Sequence, residues 1–156
     1  MQYIPDMNDI DIVVEPYCGS FALTRYMLDK YPDKKYICND NDEMLINTFK
    51  TLQNDDKCNE LIEFYKTFEI RDKKHYDEFH KEKTICSFLF TYVIYRIRHG
   101  LYDKNKHKFN DKDINRLVHF NKHYKNIEFV CGYAKHIIDQ YKIINDVLCL
   151  WIHHFY

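Results

Sequence analysis

A parallel α/β sheet interrupted by a helical insertion is the fold class this sequence predicts. Three observations carry it: short β-branched runs that alternate with helical spacing, the same alternation resuming near the C-terminus, and a long helical stretch between them. Ile12-Val13-Val14 is a β-branched run ending at Glu15-Pro16, as a buried strand would. From Ser20 to about Lys30, Phe21, Leu23, Met27 and Leu28 fall at helical spacing. Tyr31-Pro32-Asp33 breaks that helix, and Lys35 to Cys38 reads as a second strand. Asp42 is an N-cap candidate before Met44, Leu45, Ile46, Phe49 and Leu52. Helices are expected over 59–69 and 75–98, the latter ended by Gly100. A Lys-rich loop then runs from Asp103 to Asp111, and a helix from Ile114 to His123. Ile127 to Cys131 reads as a strand, Ala134 to Tyr141 as a helix and Val147 to Trp151 as a last strand. This divides one domain, residues 1–156, into an α/β core at 1–56 and 126–156 and an insertion over about 57–125.

Composition narrows the function classes. The chain has 156 residues, 46% of them hydrophobic, which is enough to bury a core and excludes wholesale disorder. No apolar run approaches a membrane-spanning length, and Met1 to Ile10 has neither the basic nor the apolar region of a secretory signal. Six cysteines without a C-x-x-C pair read as reduced thiols of an intracellular chain. Scarce Gly, Ala and Pro beside abundant Ile, Lys, Asn and Tyr point to an AT-rich genome. The net charge of -1 conceals a strong asymmetry. Residues 1–70 carry seven basic and fourteen acidic side chains, whereas 71–125 carry fourteen basic and seven acidic, with six of the nine histidines. A basic block interleaved with Tyr92, Tyr95, Tyr102 and Phe109 is as consistent with a polyanion-facing surface as with a solvated helical face.

In open α/β sheets, ligands bind outside the carboxyl ends of the strands. Two such ends here are chemically suggestive. Glu15-Pro16-Tyr17-Cys18-Gly19-Ser20 is an acidic residue followed by a glycine turn that opens a helix, where a ligand can approach backbone N–H groups closely. Asn39-Asp40 ends the second strand, and an acidic side chain there can accept hydrogen bonds from ribose hydroxyls. Taken singly, Glu15 could equally be a salt-bridged strand end and Asp40 a helix-cap residue.

Together, "VVEPYCGSFAL" and "KYICNDNDEMLIN" resemble motif I and the following acidic loop of the Dam-type DNA adenine methyltransferases. The resemblance continues through "FLFTYVIYRIRHGLYDKNKHKFN", "HFNKHYKNIEFVCGYAKHI" and "NDVLCL", in the family's order. It implies a class I methyltransferase fold, Rossmann-like, using S-adenosylmethionine to methylate the adenine amino group in DNA. It further implies that Glu15, Tyr17 and Gly19 lie against the methionine part of the cofactor and that Asp40 binds its ribose. The basic segment falls where the family contacts DNA, so Arg96, Arg98, Lys104, Lys106 and Lys108 are the expected DNA-binding residues.

Three departures qualify the resemblance. The family's basic, glycine-containing motif upstream of the first strand has no counterpart before Ile12. Phe21 stands where the pattern has a glycine, so its ring is expected to obstruct the pocket or turn outward. Where the family has its catalytic Asp-Pro-Pro-Tyr loop, this chain has Trp151, Ile152, His153 and His154. No carboxylate remains there to accept from the target amino group, so no catalytic residue is expected in this chain and the sheet is expected to be incomplete. Uncovered sheet surface would favour self-association or a second polypeptide that completes the domain. The non-catalytic alternative is a DNA- or protein-binding remnant. Cys18, Cys38, Cys131 and Cys149, with His153 and His154, could be weighed as a zinc site, but their spacing matches no standard pattern and no metal is expected.

Trp-Ile-His-His can be written TGG ATC CAC CAY, which read two bases later gives GAT CCA CCA, or Asp-Pro-Pro. The resulting hypothesis is a frameshift at the catalytic loop. It requires ATC at codon 152, and sequencing the gene tests it: any other isoleucine codon excludes it.

Overall fold

The computed structural model describes residues 6–94, 102, 107–141 and 147–150. Among them are four strands and seven helices in two compact units, 1–46 with 126–156 and 47–125. In the first unit the strands β1 (Ile12–Glu15), β2 (Lys35–Asp40), β3 (Ile127–Cys131) and β4 (Val147–Cys149) form one sheet in the order β3-β2-β1-β4. Every pairing is parallel, as the βαβ alternation requires. The sheet and its helices agree with the Rossmann-like fold expected from the sequence.

Pleating assigns the strand residues to two faces. Val14 pairs with Ile37, both wholly buried, and with Ile137 of the helix Ala134–Tyr141 they form a core ringed by Ile12, Val130, Ile138, Tyr141, Val147 and Cys149. One residue along, Glu15 pairs with Cys38 and Cys38 with Phe129. That row meets helix α1 (Ala22–Lys30): Thr24 bonds to Glu15 and Cys38, and Phe21, just before the helix, packs edge-on to Phe129. Helices thus cover both faces, which is why the strands read as continuous apolar runs rather than alternating ones.

Helix α2 (Glu43–Gln53) begins as expected, with Asp42 Oδ1 accepting from the Leu45 N–H at 3.1 Å. The second unit departs from expectation in one element. The single helix expected over 75–98 is two helices, α4 (Lys73–Lys81) and α5 (Ile85–Ile94), with residues beyond 94 outside the described range. Lys83 adopts φ 51°, which ends α4. Thr84 and Ser87 then cap α5 reciprocally: the Ser87 N–H donates to Thr84 Oγ1 at 3.1 Å, and the Thr84 N–H donates to Ser87 Oγ at 3.0 Å. Apolar periodicity ran across this break because the residues on either side still alternate at helical spacing.

Helices α3 (Asp55–Thr67) and α6 (Asp111–His123) start earlier than their apolar residues imply. Their first turns are polar and are held by Asn54, which accepts from the Lys57 N–H, and by an Asn110/Asp113 capping box. Asn121 Nδ2 donates to the Leu52 carbonyl at 3.0 Å, tying α6 to the end of α2.

The second unit is packed with rings. Tyr65 stacks on Phe109 with centroids 4.1 Å apart and planes 6° from parallel, and Phe90 lies 5.7 Å from Phe109. The Tyr65 hydroxyl donates to the Cys86 carbonyl at 2.5 Å, which satisfies a phenol that is 1% exposed. Tyr65→Phe keeps the stack and removes that bond. It should lower stability by about 1 kcal/mol in urea denaturation, and an unchanged midpoint would mean the bond is replaced by water.

Candidate functional site

The carboxyl ends of β1 and β2 meet. Gly19 takes φ 46°, and its N–H donates to Asp40 Oδ2 at 2.9 Å. The other oxygen of Asp40 accepts from the Asp42 N–H at 3.0 Å, which fixes the carboxylate at the start of α2. The turn after β1 is therefore held against the end of β2, 21 residues further along the chain. Nothing lies within 4 Å of where a Cβ on Gly19 would stand, so the turn is open to close approach. Tyr17, in the same turn, is 64% exposed.

Glu15 lies inside, 2% exposed. Its Oε2 accepts from both the N–H of Thr24, at 3.1 Å, and the Thr24 hydroxyl, at 2.6 Å. Thr24 is the third residue of α1, so Glu15 supplies the capping acceptor that Phe21, directly before the helix, cannot. Burial raises the Glu15 carboxyl above its ordinary pKa, and the Thr24 bonds and the charge of Arg25 offset part of the rise. Cys38 donates to the same hydroxyl at 3.2 Å. The neighbouring Cys38 thiol, together with burial, holds the Cys18 thiol protonated well above the ordinary range. Among the described residues no three His, Cys, Asp or Glu side chains gather as metal ligands would.

Phe21 does not turn outward. It is 4% exposed, its ring sits 5.5 Å from Phe129 at 79°, and the Arg25 guanidinium stands 5.3 Å above it. Its φ of 43° shows that the backbone retains the left-handed conformation glycine would take more readily. That conformation costs a side-chain-bearing residue roughly 1–2 kcal/mol, a sum that burying an aromatic ring can offset.

In the sequence Asn39 stands out only as the neighbour of Asp40. Its side-chain N–H groups donate to the carbonyls of Pro16 and Gly132, both at 2.9 Å. This brings the turn after β3, with Tyr133 70% exposed, beside the turn after β1. An asparagine at the end of a central strand is the signal that could have revealed it, since a buried amide must find partners.

Of the expected DNA-binding residues, Lys108 is exposed and pairs in an isolated antiparallel bridge with Glu69. Arg96, Arg98, Lys104 and Lys106 lie outside the described residues, as do Trp151, Ile152, His153 and His154.

Residues 1–150 match a known family, the D12 class N6 adenine-specific DNA methyltransferases. The chain belongs to this family. It is also 30% identical, over 160 aligned residues, to the Type II methyltransferase M.MjaIII of Methanocaldococcus jannaschii. That alignment covers 86% of this chain and 55% of the relative, so the chain spans little more than half of that methyltransferase. The glycine turn and the acidic strand end both lie inside the stretch that matches the family. No helix among the described residues is long and apolar enough to cross a membrane.

Glu15 supplies a test in pH. A carboxyl with a raised folded-state pKa holds its proton more tightly when folded than when unfolded. Its contribution is fully present below the ordinary value of 4.5 and is lost as pH rises through the raised one. Glu15→Gln can still accept from Thr24 but does not titrate. Urea midpoints should therefore fall for the wild type relative to Glu15→Gln as pH rises above 4.5, and curves that stay parallel up to neutral pH would contradict the raised pKa.

Proposed function

We propose that this chain binds S-adenosylmethionine at the carboxyl ends of β1 and β2 and serves methylation of the adenine amino group in DNA. The observation that carries the reading is the hydrogen bond from Gly19 to Asp40, because it joins the glycine turn and the acidic strand end that such a cofactor needs in one place. The residues fit the cofactor. Each Asp40 oxygen accepts one bond from the protein and keeps a second lone pair for a ribose hydroxyl. Gly19 leaves open space beside its backbone, and Tyr17 offers an exposed ring at the rim.

The cofactor supplies an electrophilic methyl group on a sulfonium. The chain's own residues would bind and orient it: Asp40 through the ribose, Gly19 and Tyr17 beside the methionine part, and Glu15 indirectly, through the helix start that it caps. The basic segment supports a DNA-facing role for Arg96, Arg98, Lys104, Lys106 and Lys108. Trp151, Ile152, His153 and His154 offer no carboxylate to hold the target amino group, so this chain alone does not complete the transfer. A second polypeptide carrying that loop would restore it.

Calorimetry tests the cofactor reading. The wild type should bind S-adenosylmethionine, and Asp40→Asn should weaken binding about tenfold or more, as loss of a charged acceptor to a hydroxyl would. No heat from the wild type would overturn the reading. With labelled cofactor and DNA, the isolated chain should transfer no methyl group, and label on adenine would overturn the account of residues 151–154.

A further inference from the structure

We propose that Asn39 is the positioning residue of this site: its one side-chain amide sets the separation of the loops that follow β1 and β3. The proposal rests on the cofactor reading above for its consequence but not for its geometry. Asn39 is the fifth residue of β2, a strand flanked by β1 and β3, and is 1% exposed. Its Nδ2 donates to the Pro16 carbonyl on one side and the Gly132 carbonyl on the other, each at 2.9 Å. Reversing the amide would set its oxygen against two carbonyls, so the partners dictate its orientation.

The main chain repeats the pattern. The Cys18 N–H donates to the Asn39 carbonyl at 2.8 Å, and the Gly132 N–H to the Asp40 carbonyl at 3.0 Å. The end of β2 therefore holds the loop after β3 at two points and the loop after β1 at three, counting the Gly19–Asp40 bond, and in each loop one point is the Asn39 side chain. The residue after each anchored carbonyl is an exposed tyrosine, Tyr17 in one loop and Tyr133 in the other. Gly19, which donates to Asp40, follows two residues later. Few side chains can substitute for this one. An ionised Asp has no proton to donate, Ser and Thr have one, and an apolar residue would leave the buried Pro16 carbonyl and the part-buried Gly132 carbonyl short of a partner. The separation of the two loops, and with it the affinity for a cofactor held between them and Asp40, depends on an amide with two donors.

The test uses Asn39→Ala, Asn39→Ser and Asn39→Asp in the full chain, with folding checked by circular dichroism. In Asn39→Ala, hydrogen exchange should quicken at Gly19 and Gly132 while Ile37 in mid-strand stays protected, and S-adenosylmethionine should bind at least tenfold more weakly. Asn39→Ser, with one donor, should fall between Asn39→Ala and the wild type, and it takes the place of Asn39→Ala if that variant does not fold. Asn39→Asp should bind worse than Asn39→Ala at pH 8 and recover as acidification restores a donor, a profile Asn39→Ala should not share. Unchanged exchange at both glycines overturns the proposal, as does unchanged affinity in Asn39→Ala when the wild type binds. If the wild type itself binds no S-adenosylmethionine, the cofactor reading fails, and exchange at Gly19 and Gly132 still decides the role of Asn39.

Discussion

Inside the α/β unit, one carboxylate oxygen of Glu15 accepts both the N–H and the hydroxyl of Thr24. A buried charge without such partners would cost several kcal/mol, so the end of β1 and the start of α1 can pack only if this contact forms. Much else follows from it. With α1 seated on Thr24, Cys38 reaches the same hydroxyl and Phe21 is carried over Phe129, so helix and sheet register together. The turn between Glu15 and α1 is then short, and Gly19 closes it in a left-handed conformation that leaves its N–H facing Asp40.

Phe21 illustrates how such a frame absorbs a substitution. The backbone there keeps the left-handed geometry that a glycine would take freely, which costs a phenylalanine strain. The ring is nonetheless buried against Phe129 beneath the Arg25 guanidinium. Contacts on the sheet face compensate for a residue poorly suited to its φ, and the turn keeps its shape. Of the two expected placements, a ring that obstructs the pocket or one that turns outward, the burial against Phe129 excludes the second, because an apolar residue on β3 receives the ring.

The helical unit relies on a different device. Its interior is aromatic, with Tyr65, Phe90 and Phe109 in mutual contact, and the helices around them are bounded by polar side chains that satisfy orphan N–H groups. Asn54, Asp72, Thr84 and Asn110 each cap a helix start. Apolar spacing locates the middle of such helices and misplaces their ends, since a capping turn is polar by construction. The break at Lys83 passed unseen for the same reason: a threonine and a serine, not a proline or glycine, mark it.

By itself, the sequence determined the parallel α/β class, the strands Ile12–Glu15 and Ile127–Cys131, the helix Ala134–Tyr141 and the residues carrying the family resemblance. These are local: β-branched runs, helical spacing and a glycine turn are set by neighbours in the chain. It also singled out Gly19 and Asp40, though as separate strand ends. Only the tertiary structure decided that the two touch, that Glu15 turns inward to cap a helix, and that Asn39 reaches Gly132, 93 residues away, as well as Pro16. The physical reason is that a buried polar side chain takes whichever partner the packing of distant strands delivers. No pattern within a window of sequence fixes that partner.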